Sequence, residues 1–327
     1  MNLKGYLKMI NKLEEIGFYT LKDSRAKTAS EISDLQRCEL ILSSTCNFKC
    51  IYCRNIGGPD MPYGQAENIV KLWCKDNLKN IRFSGGEPTL YKGLVNLVNL
   101  AKTRGVERIA ISTNGSASKK LYDELLYAGV NDFSISLDSC CAADGDIMAG
   151  VKGQWDKVIN NIKYLSSKTY VTVGVVLTDD NTDKVNDIIV FVDSLGVSDI
   201  RIIPAAQNGD KLKNVYVSSE LLEKYPILKY RIDNLNEGIS VRGLSDLDID
   251  KCPLVLDDMA ICEGNHFPCI IYCRESGKPI GKVGPNIRQE RLEWYLKHNT
   301  KTDPICKYQC LDVCKNYNLK YEEYHKE

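Results

Sequence analysis

The stretch ELILSSTCNFKCIYC, residues 39–53, joins a short apolar run to three closely spaced cysteines. Residues 39–43 have the length and apolar character of a buried strand, and Cys46, Cys50 and Cys53 follow in the spacing C-x3-C-x2-C. Three thiolates on one loop can hold three irons of a cubane cluster and leave the fourth iron open to a chelating small molecule. A structural zinc site, which takes four ligands, and an inert buried trio are the competing interpretations. The spacing and the softness of the thiolates favour the iron–sulfur cluster.

Strand-like and helix-like segments alternate from residue 39 to residue 204. This alternation predicts an α/β fold of right-handed βαβ units around a parallel sheet, with six strands instead of the eight of a complete barrel. The predicted strands are 39–43, 81–84, 108–113, 132–137, 170–177 and 199–204, and the predicted helices are 66–78, 94–103, 119–128, 155–165 and 185–195.

Several predicted strands end in small polar or glycine-rich segments. These are Ser84–Pro88, Ser112–Gly115, Ser136–Asp138 and Thr178-Asp179. Any one of them is explained equally well by turn chemistry. Because the carboxyl ends of parallel strands meet at one rim, four such segments favour a shared ligand site there.

Composition narrows the classes of function. The 327 residues include 43 lysines plus arginines and 43 aspartates plus glutamates, a balance that argues against a nucleic-acid partner. Only three histidines are present, which disfavours histidine-based hydrolases. No run approaches the ~20 apolar residues of a membrane span, and no signal peptide is visible. We expect a cytoplasmic protein without a membrane partner, whose fourteen cysteines stay reduced and in part bind metal.

The motifs in combination resemble those of the radical S-adenosylmethionine (SAM) enzymes. Cys46, Cys50 and Cys53, with Tyr52 before the last cysteine, match the family's cluster loop, and Gly85-Gly86-Glu87-Pro88 matches its GGEP motif. The resemblance covers about residues 39–204. It implies a partial (β/α)6 TIM-like barrel, the radical SAM core, with a [4Fe–4S] cluster at its open mouth.

The resemblance also implies which residues bind SAM. The GGEP backbone and the Glu87 carboxylate would contact the methionine amino group, and the polar strand ends would approach the methionine carboxylate and the ribose. Residues 202–204 are similar to the segment that flanks adenine. The implied SAM-binding residues are Tyr52, Gly85, Gly86, Glu87, Pro88, Ser112, Thr113, Asn114, Ser136, Asp138, Ile202 and Pro204.

A second group of seven cysteines lies near the C-terminus: Cys252, Cys262, Cys269, Cys273, Cys306, Cys310 and Cys314. The last three recur every fourth residue, which would place them on one face of a helix. The pattern resembles the SPASM/twitch extension of radical SAM enzymes. It implies an auxiliary [4Fe–4S] cluster held by Cys252, Cys269 and two of Cys306, Cys310 and Cys314. A second cluster with an open iron and a zinc ribbon are the alternatives.

These patterns divide the chain into four regions. We expect a helical extension in residues 1–37, the radical SAM core in 38–205, a bridging region in 206–250 and a small Cys-rich auxiliary-cluster domain in 251–327. The predicted elements after the core are a helix at 218–236, a strand at 239–243, a hairpin of 259–263 and 267–274 around Gly264-Asn265, and a helix at 288–298.

The resemblance implies that an electron from the reduced cluster cleaves SAM to a 5′-deoxyadenosyl radical, which abstracts hydrogen from an unactivated carbon. The expected substrate is a peptide, a protein side chain or a small molecule, and the expected electron donor is a flavodoxin or ferredoxin. The barrel segment is most like the GTP cyclase of molybdenum-cofactor biosynthesis, although that family's auxiliary-cysteine spacing and C-terminal double glycine are not reproduced. A nucleotide-rearranging enzyme and a non-catalytic metal-binding scaffold are the alternatives.

Overall fold

The structure, a computed structural model, describes residues 25–54, 57–206 and 215–326. Most of the helix predicted within residues 1–37 lies outside these ranges, and the described part of that region begins with a short helix, α1 (Arg25–Thr28). No helix of the described ranges is both long and apolar enough to cross a bilayer.

A single nine-stranded sheet organises the described residues, in the order β6-β5-β4-β3-β2-β1-β7-β8-β9. All neighbours from β6 to β7 are parallel, and the β7–β8 and β8–β9 pairs are antiparallel. The first six strands match the six predicted ones to within two residues at each end, which confirms the partial barrel. The strands are β1 (Arg37–Ser43), β2 (Asn80–Gly85), β3 (Arg108–Thr113), β4 (Asp132–Ser136), β5 (Tyr170–Leu177), β6 (Asp199–Pro204), β7 (Asp258–Cys262), β8 (Asn265–Phe267) and β9 (Gly281–Lys282).

Helices follow the core strands because their apolar side chains recur at helical spacing. In α2, for example, Ala66, Ile69, Val70 and Trp73 form one buried face. The core helices are α2 (Tyr63–Lys75), α3 (Leu94–Thr103), α4 (Lys119–Ala128), α5 (Ala142–Ala149), α6 (Trp155–Ser166) and α7 (Val185–Asp193). The sequence did not predict α5, because only Met148 of its residues is buried and no amphipathic pattern marks it.

Two predictions for the bridging region were wrong. The helix expected at 218–236 is two helices, α8 (Ser219–Lys224) and α9 (Pro226–Asn236), because the proline disfavours helical geometry at Tyr225. The expected strand at 239–243 is not formed: Arg242 makes only an isolated bridge to Leu311.

The sheet continues across the expected boundary at residue 250, since β7 pairs in parallel with β1. Two buried ion pairs fasten this junction, from Arg37 to Asp258 at 2.5 Å and from Arg25 to Asp257 at 3.0 Å. The remaining helices are α10 (Ile270–Arg274), α11 (Ile287–Lys297), α12 (Pro304–Gln309) and α13 (Asp312–His325).

Two predictions for the C-terminal cysteines also need correction. The predicted second hairpin strand, 267–274, ends as a strand at Phe267 and continues as the helix α10. Cys306, Cys310 and Cys314 do not share one helix, because α12 ends at Gln309 and α13 begins at Asp312.

Candidate functional site

Three cysteines of the loop after β1 line a cavity of about 350 Å³ at the carboxyl ends of the core strands. The loop is fixed from the side by the unpredicted helix α5. The Lys49 N–H donates to the Ala149 carbonyl at 2.9 Å, and the Ile51 N–H donates to the Met148 carbonyl at 3.2 Å. Burial raises the pKa of the Cys50 thiol to about 12, so a bound cation is needed to hold it as a thiolate at neutral pH.

The glycines of the GGEP segment allow the cluster loop to approach β2. A Cβ atom on Gly85, which has a φ of +152°, would lie 2.3 Å from the Ser43 carbonyl oxygen. A Cβ atom on Gly86 would lie 2.4 Å from the Thr45 carbonyl oxygen. Only glycine fits both positions, and both residues line the cavity.

Six more of the predicted residues line this cavity at the ends of β3, β4 and the cysteine loop. Tyr52 Oη donates to Asp138 Oδ2 at 2.6 Å, and the Val176 N–H donates to Asp138 Oδ1 at 2.6 Å. Burial nevertheless raises the pKa of Asp138 to about 6, which makes it a carboxyl that can gain or lose a proton near neutrality. The six residues are Tyr52, Ser112, Thr113, Asn114, Ser136 and Asp138, and Pro204 of β6 joins them.

Glu87, Pro88 and Ile202 are not among the described residues that line the cavity. The Glu87 carboxylate is fully buried below it, where Oε1 accepts from Thr89 and Thr113 and Oε2 accepts from the Asn114 N–H at 2.7 Å. Glu87 therefore ties the end of β2 to the end of β3 in this structure. Ile202 is fully buried on the other side of β6, and its neighbour Ile203 faces the cavity instead.

Sequence reasoning missed several polar residues of the same cavity. Glu39 of β1 and Arg201 of β6 come from strand interiors, where a barrel more often has branched apolar residues. Period-two alternation could have found them, because each shares a strand face with a residue at the rim. The missed arginines are Arg54, Arg82, Arg201, Arg242 and Arg274.

Five of the seven C-terminal cysteines line a second, apolar cavity. The Cys310 and Cys314 thiols hydrogen-bond to each other, and Cys306 Sγ lies 3.6 Å from His298 Nε2. Burial raises the pKa of Cys252 to about 12, as expected for thiols that need a metal to ionise. The five are Cys252, Cys269, Cys306, Cys310 and Cys314.

Arg291 of α11 holds the segments that carry Cys252 and Cys269. This fully buried guanidinium donates to the carbonyl oxygens of Val255 at 2.9 Å and Phe267 at 3.0 Å, and also to those of Asp258 and Pro268. It thus joins the turn after Cys252, the hairpin and the residue before Cys269.

The two cavities share a thin wall, because Ile271 and Leu311 line both of them. Cys262 and Cys273 instead hydrogen-bond to each other and are not among the described residues that line the second cavity.

The residues present fit two iron–sulfur clusters. In the first cavity, the three thiols of one loop lie beside Gly85 and Gly86, whose backbone carries no side chain. This arrangement suits a cluster with one iron open to an exchangeable ligand. In the second, five thiols exceed the four that a fully protein-ligated cluster takes.

Residues 40–192 match the family model described as the Radical SAM superfamily. This segment is similar to a radical SAM domain, and the cofactors of that family are a [4Fe–4S] cluster and SAM. Its cysteine loop, GGEP segment and polar strand ends all lie within or next to the matched range.

Several sequence relatives are described as GTP 3′,8-cyclases. The chain is 29% identical over 213 residues to the GTP 3′,8-cyclase of Clostridium perfringens strain SM101, which covers 62% of this chain and 64% of that protein. It is 26% identical over 177 residues to a probable GTP 3′,8-cyclase of Metallosphaera sedula, or 52% of this chain and 55% of that protein. The similarity thus spans less than two thirds of these relatives.

Two solved structures share the fold over most of the chain. A structure of anSMEcpe with bound AdoMet and the Cp18Cys peptide superposes with a TM-score of 0.59 at 16% identity, covering 88% of this chain and 95% of that one. Streptococcus suis SuiB, bound to the precursor peptide SuiA, superposes with a TM-score of 0.57 at 15% identity, covering 93% and 70%. At this identity the likeness concerns the fold alone.

Proposed function

We propose that the protein cleaves SAM reductively and uses the resulting radical to abstract a hydrogen atom from a substrate bound in the first cavity. One observation carries the proposal: this cavity brings Cys46, Cys50 and Cys53 together with the glycines of β2 and the polar ends of β3 and β4. Cys46, Cys50 and Cys53 would hold the [4Fe–4S] cluster, which would supply the electron for reductive cleavage of SAM.

The chain's own residues would position SAM. The backbone groups of Gly85 and Gly86 can contact the methionine end of SAM, because no side chain obstructs them. Thr113 and Asn114 are held at the rim by Glu87 from below. Asp138, fixed by Tyr52 and the Val176 N–H, offers a carboxyl to the ribose hydroxyls.

An auxiliary [4Fe–4S] cluster in the second cavity would serve electron transfer. We infer that Cys252, Cys269 and two of Cys306, Cys310 and Cys314 hold it. Ile271 and Leu311 line both cavities, so the two sites adjoin each other, as electron transfer between two clusters requires. This arrangement favours oxidation of a peptide, protein side chain or small molecule, with a flavodoxin or ferredoxin as donor.

The proposal is tested by anaerobic reconstitution with iron and sulfide, followed by dithionite, SAM and measurement of 5′-deoxyadenosine. We expect about eight irons per chain and formation of 5′-deoxyadenosine. Cys53→Ala should lose about four irons and the product, whereas Cys74→Ala, whose thiol lines neither cavity, should lose neither. Iron-loaded wild-type protein that leaves SAM intact would support a non-catalytic scaffold instead.

Rearrangement of a nucleotide is the second candidate, favoured by the GTP cyclases among the sequence relatives. It predicts that GTP increases 5′-deoxyadenosine formation and is itself converted to a cyclised product. If GTP changes neither quantity in protein that cleaves SAM, a peptide, protein side chain or small molecule is the better substrate.

A further inference from the structure

The first cavity has more positive than negative side chains. Its described lining residues include five arginines and three carboxylates. The carboxylates already accept hydrogen bonds from the protein: Glu39 from Ser84 at 2.7 Å, Asp138 from Tyr52 at 2.6 Å and Asp146 from the Gly153 N–H at 3.0 Å. An excess of cations in a confined, partly desolvated space favours an anionic ligand.

Two of the arginines, Arg54 and Arg274, line this cavity next to the cysteine loop and at the end of α10, respectively. Arg54 follows Cys53 directly and forms an ion pair with Glu275, and the positive charge of Arg274 acts on the Arg54 guanidinium. Among the ion pairs of the described residues, none involves Arg274. Two guanidinium groups that share one cavity repel each other, and an anion that contacts both reduces that repulsion.

The helix α10 connects this arginine pair to the second cavity. Cys269, the residue before the helix, and Ile271 line the second cavity, whereas Ile271 and Arg274 line the first. A group bound at Arg274 is therefore held near both the cysteine loop, through Arg54, and the thin wall of Ile271.

We propose that Arg54 and Arg274 bind an anionic group of the substrate, a carboxylate or a phosphate, and that Arg274 decides the preference for anionic substrates. Guanidinium groups suit this role because their parallel N–H donors match the paired oxygens of both anions. The inference rests on the proposed function, since it takes the first cavity as the place where the substrate reacts.

The test uses the anaerobic, fully reconstituted chain with SAM bound and measures binding of inorganic phosphate and of glutarate by calorimetry. We expect at least one of them to bind, Arg274→Gln to weaken that binding at least tenfold, and Arg274→Lys to weaken it less. Lys297→Gln, an exposed change on α11, should leave it unaltered. The two probes separate a phosphorylated substrate from a carboxylate.

Iron content and SAM affinity are measured in every variant, so that misfolding is recognised. Arg274→Lys keeps the charge and serves as the second variant if Arg274→Gln fails to load iron. The inference is overturned if neither anion binds to the wild-type protein, if Arg274→Gln binds it equally well, or if SAM affinity falls as much as anion affinity. Formation of 5′-deoxyadenosine by the wild-type protein is scored separately, so the proposed function can stand while this inference fails.

Discussion

Replacing Arg291 by methionine should empty the auxiliary site and leave the radical SAM site loaded. The side chain is 1% exposed and donates hydrogen bonds to the carbonyl oxygens of four residues, Val255, Asp258, Phe267 and Pro268. Methionine fills a similar volume without any donor, so these carbonyls lose their partner. At about 1 kcal/mol for each hydrogen bond, the loss is about 4 kcal/mol.

Part of that loss is offset, because burial opposes the charged guanidinium and lowers the pKa of Arg291 to about 10. We therefore expect the free energy of unfolding to fall by about 2–4 kcal/mol. Bound iron should fall from about eight to about four per chain, since the segments holding Cys252 and Cys269 are no longer fixed to each other.

Urea unfolding of the wild-type and variant proteins and an iron assay measure both quantities. Lys297→Met is the matched control on the same helix, where the side chain is 75% exposed and its ion pair with Glu293 is screened by solvent. An Arg291→Met protein with unchanged iron and unchanged unfolding would refute the role given to this guanidinium.

Three further changes address the first cavity. Gly86→Ala places a Cβ 2.4 Å from the Thr45 carbonyl oxygen and should weaken SAM binding at least tenfold. Gly64→Ala is the control, because this helical position has open space around it and the change should leave SAM binding unaltered. Equal SAM affinities of the two variants would contradict the close approach of the GGEP segment and the cysteine loop. Glu87→Gln replaces one carboxylate oxygen by an amide donor beside the Asn114 N–H or the threonine hydroxyls. The free energy of unfolding should therefore fall by about 1–3 kcal/mol. A calorimetric melt that matches the wild type would argue against this hydrogen-bond network. Burial raises the pKa of Asp138 from its usual value of 3.8 to about 6, so the folded protein binds this proton more tightly than the unfolded chain does. This carboxyl therefore lowers stability as the pH rises from about 4 to about 6. Asp138→Asn should remove that part of the pH dependence, and denaturant curves of both proteins at several pH values would show whether it does.

The core of the fold was predictable because its strands are buried on both faces. Segments such as Tyr170–Leu177 are apolar runs between polar turns, and the helices between them have one apolar face. Elements whose structure depends on the period of their apolar residues can therefore be predicted from the sequence.

Other features depend on contacts that no local pattern records. The helix Ala142–Ala149 is held by its place next to the cysteine loop, not by an apolar face. The extended backbone at Cys310 and Leu311 separates two helices although the cysteines recur at helical spacing, because Leu311 pairs with Arg242. The pairing of β7 with β1 joins residues more than two hundred positions apart.

For the first cavity, the sequence motifs predicted the correct end of the sheet. Which side chains face the cavity depends on the alternation of residues between the two faces of each strand. Ile202 and Ile203 are equally apolar, and only their position on opposite faces of β6 separates them. Glu87 shows a different limit: its motif predicts contact with a ligand, whereas Thr89, Thr113 and Asn114 occupy its oxygens in this structure.

The parallel pairing of β1 with β7 also bears on the order in which the chain matures. During synthesis the core strands emerge first, and the outer edge of β1, next to the cysteine loop, stays open until residue 262 is available. Contacts of such long sequence separation form late, and an unpaired edge invites aggregation in the meantime. The nascent barrel therefore exposes the backbone donors and acceptors of β1 until residues 258–261 pair with them.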